Sequence, residues 1–233
     1  EKRRPLVPVA RTVMRLAERI AATMAASIVR SSAQASPPPP LPSHQPKRVR
    51  GAGKIFHDRH NDHSSWHGYY PSFDRTRPSE LVPGGNLPFN GNPFANNAIT
   101  NSFDWGPLVA EDSATADGQL ANWMVQHLNK PSDGPRFDAL GFRRPHQPWF
   151  VPQKYFDMHP IENIELPPTL ENDLSDVPEA ALRGNNVIEG TTIGRAPGRE
   201  LHEWVLETGQ WPDAVQGNLA SISFVDTLLG WVL

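Results

Sequence analysis

Cationic side chains and a histidine gather in one short stretch, LGFRRPH, at residues 140–146. Arginine holds sulfate, phosphate or carboxylate groups through paired hydrogen bonds, and histidine exchanges protons near neutral pH. Arg143, Arg144 and His146 therefore predict a site for an anionic group. The alternative interpretation is that the two arginines are solvated surface charges.

A second stretch, GKIFH at residues 53–57, places a lysine and a histidine three positions apart, just after a short predicted strand. A lysine there could grip an anionic ester oxygen, and a histidine could protonate a leaving oxygen. Lys54 and His57 are therefore candidates for charge stabilisation and proton transfer.

Histidines recur through the next residues, so a transition-metal site must be weighed. They stand at positions 57, 60, 63 and 67. Asn61, Asp62, Ser64 and Gly68 between them favour turns, and without helical spacing the ring nitrogens do not converge automatically. We interpret this segment as a solvated histidine-rich loop and predict no metal site in it.

The anion-binding stretch must be carried by a strand. Phe137, Ala139, Leu140 and Phe142 predict a short one, with Asp138 inside it. A charge within a buried parallel strand is costly unless it is paired. The sequence therefore predicts either an edge strand or damage to an originally apolar run.

Two helices are predicted around these stretches. The first has Asp112 or Ser113 as its N-cap and ends before Pro131. Its apolar stripe is Leu120, Trp123, Met124 and Leu128.

The second predicted helix runs from Trp211 to Leu233. Its apolar stripe is Val215, Leu219, Ile222, Val225, Leu229 and Val232. Asp226 lies mid-helix and is interpreted as structural. Between the two helices, residues 147–170 are rich in proline and predict an extended loop with one helical turn near Gln153–Met158.

Composition narrows the function classes. The 233 residues carry a net charge of -3, so we expect neither a nucleic-acid nor a membrane-surface partner. Cysteine is absent, which excludes disulfides, thiolate metal sites and a cysteine nucleophile. No apolar run approaches the length of a membrane span.

Residues 1–50 differ from the rest of the chain. They are rich in alanine, arginine and proline, with helical spacing followed by SPPPPLPSHQPKRVR at 36–50. Four consecutive prolines break any helix. We predict a largely unstructured leader, or a segment read in the wrong frame. A transit peptide or a proline-rich ligand is the functional alternative.

Several separated motifs together resemble the sulfatases, most closely their iduronate-sulfatase-like branch. They are GKIFH at 53–57, FDWGPL at 103–108, the Arg143–His146 tetrad, YFDMHPIENIELPP at 155–168 and NLASISFVDTLLG at 218–230. The resemblance implies an α/β fold, the alkaline-phosphatase-like mixed sheet flanked by helices, with long proline-rich loops. Residues 51–233 would be the middle portion of an incomplete catalytic domain.

The resemblance also implies a chemistry. A formylglycine made from Cys or Ser in a C/S-x-P-x-R motif attacks sulfur, and a calcium ion stabilises the sulfate oxygens. Lys54 and His57 would be catalytic residues assisting the leaving group. Arg143 and His146 would bind the substrate. The family often has histidine at the first tetrad position; Arg143 cannot act as a general acid there, but it can clamp sulfate or carboxylate.

The chain departs from this pattern in its nucleophile and metal motifs. It has no cysteine and no Ser-x-Pro-x-Arg, and the calcium ligands of the family are not found in it. We therefore expect a fragment, inactive by itself, of a periplasmic or secreted enzyme acting on a sulfated sugar. The alternatives are a non-catalytic remnant that binds sulfated ligands, and a fragment of a related phosphodiesterase.

Overall fold

The computed structural model describes residues 48–56, 62–72, 77–85, 87–92, 103–168, 175–176, 178 and 204–233. Contacts group the chain into two compact units. The first takes in residues up to Pro78, Leu120–Phe142 and Val232; the second takes in Ser79–Gln119, Arg143–Trp231 and Leu233. The leader predicted for residues 1–50 falls almost wholly outside the described residues, so its separation from residues 51–233 stays a prediction.

The described chain alternates strands and helices, which confirms the α/β class. The strands are β1 (Arg48–Gly53), β2 (Gly68–Tyr70), β3 (Trp105–Leu108), β4 (Arg136–Gly141) and β5 (Trp149–Pro152). The helices are α1 (Ala116–Leu128), α2 (Gln153–Asp157) and α3 (Trp211–Val232). Single 3-10 turns occur at His63–Ser65, Asp112–Ala114 and Ile161–Asn163. Among the described helices, none combines the length and apolar character that crossing a bilayer requires.

The first unit is built on a three-stranded parallel sheet in the order β2-β1-β4. Small residues at the centre of the sheet, Ala52 and Ala139, are buried there. The part of α1 from Leu120 onward belongs to the same unit, and Leu120 and Met124 fill its core. Parallel neighbours need a long crossover connection, and α1 lies in the one between β1 and β4.

Asp138 is the charged residue that the predicted strand had to accommodate. In the described sheet β4 lies at an edge, and the carboxylate is buried but paired. Its Oδ2 lies 3.1 Å from Arg136 Nε, and its Oδ1 lies 3.1 Å from His127 Nε2. Among the described strands the edge-strand interpretation therefore holds, and the ion pair with Arg136 offsets part of the cost of burial, although Oδ1 makes no hydrogen bond.

The second unit is centred on the parallel pair β3–β5, in which Trp105 is registered with Trp149. Trp105 also belongs to an aromatic cluster with Val205 and Ala214 at its buried centre. The partly buried members of this cluster are Phe103, Trp149, Trp204 and Trp211. The predicted helical turn after this pair is confirmed as α2, but β5 itself was missed by the loop prediction for residues 147–170.

Two helix details differ from the sequence predictions. Asp112 and Ser113 lie in the preceding 3-10 turn, and α1 is capped instead by Thr115, whose Oγ1 accepts the backbone N–H of Gly118 at 3.0 Å. Met124 and Leu120 are buried as predicted, whereas Trp123 is half-buried.

The buried face of α3 is also shifted by about one residue from the predicted stripe. It is made of Ala214, Gly217, Ala220, Ser221, Phe224, Val225 and Leu228. Of the predicted stripe, Val225 and Val232 are buried, whereas Val215 and Leu219 are only half-buried. Asp226, which was interpreted as structural, is exposed. Small residues, such as Gly217 and Ala220, therefore share the buried face with large apolar side chains such as Phe224.

Candidate active site

Lys54 stands directly after β1, at a point where two strands approach closely. Gly53 is registered with Gly141 of β4, and the Lys54 N–H donates to the Gly141 carbonyl at 2.7 Å. A Cβ on Gly141 would overlap the carbonyl of Lys54 and lie 2.7 Å from the Ile55 nitrogen. Gly53 has a φ of 76°, in the left-handed region that glycine occupies without strain.

The glycine contact joins two motifs that are distant in sequence. GKIFH contributes Gly53, and LGFRRPH contributes Gly141. The carboxyl ends of parallel strands meet at one sheet edge, where open α/β sheets bind their ligands. Both motifs therefore begin at the same sheet edge.

Tyr69 of β2 secures this edge by donating its hydroxyl to the Gly53 carbonyl. Burial raises the pKa of Tyr69 above its usual value, against a smaller opposing effect of a backbone hydrogen bond from Ile55. The phenol therefore stays protonated at neutral pH and keeps its donor role. Lys54 itself is half-buried.

His57 lies outside the described residues, so the Lys54–His57 pair stays a prediction. Of the histidine-rich loop, His67 has a defined role. Its ring nitrogen Nδ1 accepts a hydrogen bond from the Val49 N–H at 3.0 Å, and its backbone N–H donates to the Val49 carbonyl at 2.8 Å. His67 thus takes part in the backbone pairing that attaches this loop to β1.

The same loop is capped by Asp62. Its carboxylate accepts hydrogen bonds from the side chains of Ser64 and Ser65, each at 2.6 Å. These two bonds, led by that from Ser64, hold the pKa of Asp62 below its usual value. In the part of the chain that the structure describes, no group of three or more potential ligands could hold a metal ion.

Arg143 and His146 belong to the second unit, so the structure describes them apart from Lys54. Arg143 is not a solvated charge. Its Nη2 donates to the Gln147 carbonyl at 2.9 Å, and its Nε lies 3.6 Å from Glu80 Oε1. The side chain is only 10% exposed.

Arg144 is buried more deeply, with a side chain 3% exposed. Its Nη2 lies 3.2 Å from Glu80 Oε2 and 3.2 Å from the Phe150 carbonyl. The surface-charge interpretation is therefore wrong for both arginines. Glu80 lies within ion-pair distance of each and is their shared counterion.

Asp117, in the first turn of α1, fixes the backbone beneath the two arginines. Its Oδ1 accepts the Arg143 N–H at 2.8 Å, and its Oδ2 accepts the Arg144 N–H at 2.9 Å. Sequence reasoning missed both Asp117 and Glu80. Asp117 did not stand out because acidic residues are common near the start of a helix, where they complement the helix dipole. The residues around Glu80 form no pattern that indicates a partner.

His146 is exposed and presents one ring nitrogen for a ligand. Its backbone N–H donates to the Arg143 carbonyl at 2.9 Å, which closes a turn. Its ring nitrogen Nδ1 lies 2.6 Å from the Gln147 carbonyl. A carbonyl only accepts, so Nδ1 carries a proton. Nε2 therefore remains for a ligand, as an acceptor in neutral imidazole or as a donor in imidazolium.

The described carboxylates do not fit a calcium site. Asp112 is the one closest to such a role, because its Oδ1 is buried without a hydrogen bond. Its Oδ2, however, is held by Lys154 Nζ at 2.7 Å and by the Tyr155 hydroxyl at 2.8 Å. A neighbouring ammonium opposes cation binding, and no further acidic ligand joins Asp112 among the described residues.

Comparison with known proteins bears on this arrangement. No protein-family model matches the chain. A curated protein from Formosa agariphila, named "Sulfatase", is 41% identical over 130 residues, which cover 56% of this chain and 24% of that protein. Over these residues the chain is similar to a segment of a sulfatase.

Two further sulfatases match at lower identity. Iduronate 2-sulfatase from Homo sapiens is 28% identical over 129 residues, covering 51% of this chain and 22% of that enzyme. The Mus musculus enzyme of the same name is 25% identical over 194 residues, covering 78% and 33% respectively. The chain thus spans between about a fifth and a third of the sulfatases it matches, and the predicted family resemblance is confirmed.

Proposed function

We propose that this chain is a segment of a sulfatase whose whole form hydrolyses sulfate esters on a sugar. The 41% identity over 130 residues with a curated sulfatase carries this proposal. The register of Gly53 with Gly141 supports it, because two of the family-like motifs then start from one sheet edge. The parallel strands with accompanying helices are consistent with an alkaline-phosphatase-like architecture over residues 51–233.

Lys54 and His57 are proposed to assist the leaving group. Hydrolysis breaks a bond of the sulfate ester and leaves negative charge on the sugar oxygen, which must be stabilised and then protonated. The lysine ammonium supplies positive charge, and the histidine supplies the proton. Lys54 is suited to this because its backbone is fixed by the hydrogen bond to Gly141.

Arg143 and His146 are proposed to bind the anionic part of the substrate. Two contacts, with Gln147 and Glu80, hold the Arg143 guanidinium in place before any ligand arrives. Such preorganisation lowers the entropy cost of binding. Because Glu80 already balances part of the positive charge, Arg143 contributes orientation more than net attraction.

The nucleophile and the metal are proposed to lie outside this chain. Formylglycine requires a cysteine or serine in a C/S-x-P-x-R motif, and the sequence holds no cysteine and no Ser-x-Pro-x-Arg. The described carboxylates do not fit calcium. The chain on its own is therefore expected to bind a sulfated sugar weakly without hydrolysing it.

The first prediction concerns this lack of turnover. Purified chain is incubated with 4-methylumbelliferyl sulfate, with and without added calcium, and released fluorophore is measured. We expect a rate equal to that of buffer, because the nucleophile is missing. Turnover that co-purifies with the chain and falls in Lys54→Met, but not in the matched Lys154→Met control, would show that the chain is an enzyme by itself.

A further inference from the structure

A cavity of about 100 Å³ opens in the first unit, beside the amino-terminal residues of β1 and β4. The cavity is lined by Arg48, Arg50, His127, Lys130, Pro131, Ser132 and Arg136. It lies at the opposite end of these strands from Gly53 and Gly141. A volume of this size exceeds what a single water needs by several-fold, so a small polyatomic ion can enter.

The lining is strongly cationic. Arg48, Arg50, Lys130 and Arg136 supply four positive charges, and two carboxylates among the described residues form ion pairs with them. Asp133, at the rim, pairs with Arg48, and the buried Asp138 pairs with Arg136. Four cations less two carboxylates leave a net charge of +2 around the cavity when His127 is neutral.

Arg136 is held rigidly by contacts that use all three of its guanidinium nitrogens. Nε lies 3.1 Å from Asp138 Oδ2, Nη1 donates to the Lys130 carbonyl at 3.2 Å, and Nη2 donates to the Leu128 carbonyl at 3.0 Å. These carbonyls end α1, where a cation is favoured by the helix dipole. Among the described residues, by contrast, the Lys130 ammonium has no hydrogen-bond or ion-pair partner.

His127 links Arg50 to the buried carboxylate. Arg50 Nη1 lies 2.6 Å from His127 Nδ1 and 2.9 Å from Nε2, and Nε2 also lies 3.1 Å from Asp138 Oδ1. Arginine can only donate, so a ring nitrogen of neutral His127 accepts from Arg50. Burial lowers the pKa of His127, and Arg50, Arg136 and Lys130 lower it further, outweighing the opposing effect of Asp138. The ring is therefore neutral at pH 7.

We propose that this cavity binds a tetrahedral oxyanion, a sulfate or phosphate group, at the end of β1 and β4 opposite Gly53 and Gly141. Arg50 and Arg136 form its fixed inner wall, and Lys130 and Arg48 close over the ion from the exposed rim. Guanidinium and ammonium groups match the oxygens of such an ion. The inference rests on the first unit alone and does not depend on the proposed function.

The second prediction tests this site with the whole chain. Sulfate and phosphate are titrated by calorimetry in a chloride buffer, and a singly sulfated disaccharide serves as a third arm. We expect the double variant Lys130→Gln/Arg48→Gln to weaken binding at least ten-fold. Lys154→Gln, which removes one cation outside the cavity, should change the affinity less than two-fold.

Asp133→Asn is a control variant that should change the affinity for the oxyanion in the opposite direction. Its carboxylate is 87% exposed and competes for Arg48, so its neutralisation should tighten oxyanion binding several-fold without loss of folding. Loss of sugar binding with the same variants would identify the ligand as a sulfate group on a sugar, and loss of inorganic-ion binding alone would identify a free ion. No binding to the wild-type chain, or equal losses in Lys154→Gln, would overturn the site.

Discussion

Gly53 and Gly141 hold the strand ends together through backbone alone. Each lies where a side chain would meet the opposite strand or helix: a Cβ on Gly53 would lie 2.8 Å from Leu120 Cδ1, and one on Gly141 would meet the backbone of Lys54. Backbone cannot move aside as a flexible side chain can. Glycine is therefore required at both positions for geometric reasons that precede any role in catalysis.

The third prediction follows from this contact. Gly53→Ala and Gly141→Ala should each lower the free energy of unfolding by about 2 kcal/mol or more, because each adds steric overlap and the first also adds strain at a positive φ. Gly84→Ala is the matched control, since a Cβ there meets nothing within 4 Å.

Urea denaturation followed by circular dichroism measures all three variants. A Gly141→Ala variant as stable as Gly84→Ala would contradict the close approach of β1 and β4.

The residue types of the candidate site were predictable, but their partners were not. Arg143 and His146 are recognisable from local sequence, because a basic tetrad after an apolar run is a local signal. Glu80 lies 64 positions before Arg144, and Asp117 lies 26 before Arg143. Only the folded chain brings these carboxylates to the arginines. The sequence therefore could not show that Arg143 and Arg144 form buried ion pairs rather than solvated surface charges.

At the level of elements, α3 shows why apolar periodicity located a helix but misjudged its face. The helical spacing of large apolar residues, such as Leu219 and Ile222, predicted that they form the buried stripe. The structure instead turns Phe224 and Leu228 inward, together with small residues where the aromatic side chains of β3 and β5 lie close. Gly217 faces Trp105 and Trp149, and a Cβ on it would lie 2.7 Å from Trp105 Cβ.

The fourth prediction contrasts two glycines of α3. An exposed helical glycine gains about 0.5–1 kcal/mol of stability on replacement by alanine, so Gly230→Ala, where a Cβ meets nothing within 4 Å, should stabilise the chain. Gly217→Ala gains the same propensity but overpacks against Trp105, at a cost of about 1–3 kcal/mol.

Thermal unfolding should therefore shift in opposite directions for the two variants, upward for Gly230→Ala and downward for Gly217→Ala. Stabilisation by both would mean that α3 does not approach β3 as described.

Strand β5 was missed for a reason that also lies in packing. Its residues, Trp149–Pro152, are followed by a proline-rich segment and read as loop. Pairing with β3 sets their conformation, and no pattern within four residues encodes a partner over 40 positions earlier. For β4, by contrast, the local sequence was informative, because Asp138 correctly indicated that the strand is not fully buried.

At the scale of the whole molecule, two histidines with lowered pKa values, His127 and His159, make stability depend on pH. Burial lowers the pKa of His159, whose Nε2 lies 2.8 Å from Ser223 Oγ, and burial is also the leading cause of the lowered pKa of His127. In the unfolded chain both titrate near pH 6.5. Below that value the unfolded state binds more protons than the folded state, so acid favours unfolding.

The fifth prediction is a fall in the free energy of unfolding as the pH drops from about 7 to about 5.5. His159→Gln should reduce the steepness of that fall, because one of the two groups is removed. Denaturation is measured in a buffer free of sulfate and phosphate, so that ion binding near His127 does not contribute. Stability that rises on acidification over this range would contradict the lowered pKa values.

The resemblance to sulfatases and the α/β class were predictable because several motifs occur in a characteristic order. The grouping into two units was not, because it depends on which contacts form between distant segments. The cationic cavity was also hidden: Arg48, Lys130 and Arg136 are spread over almost 90 positions and look like ordinary surface charges in sequence.

The contact between Gly53 and Gly141 also indicates where a segment of this chain can be exchanged for that of a related protein. It contains no side chain from either motif and is made by backbone atoms alone, including the hydrogen bond from the Lys54 N–H to the Gly141 carbonyl. Exchange of the segment between residues 54 and 140 with that of a relative that keeps both glycines would join surfaces that already fit. This boundary is therefore a natural crossover point for building chimaeras.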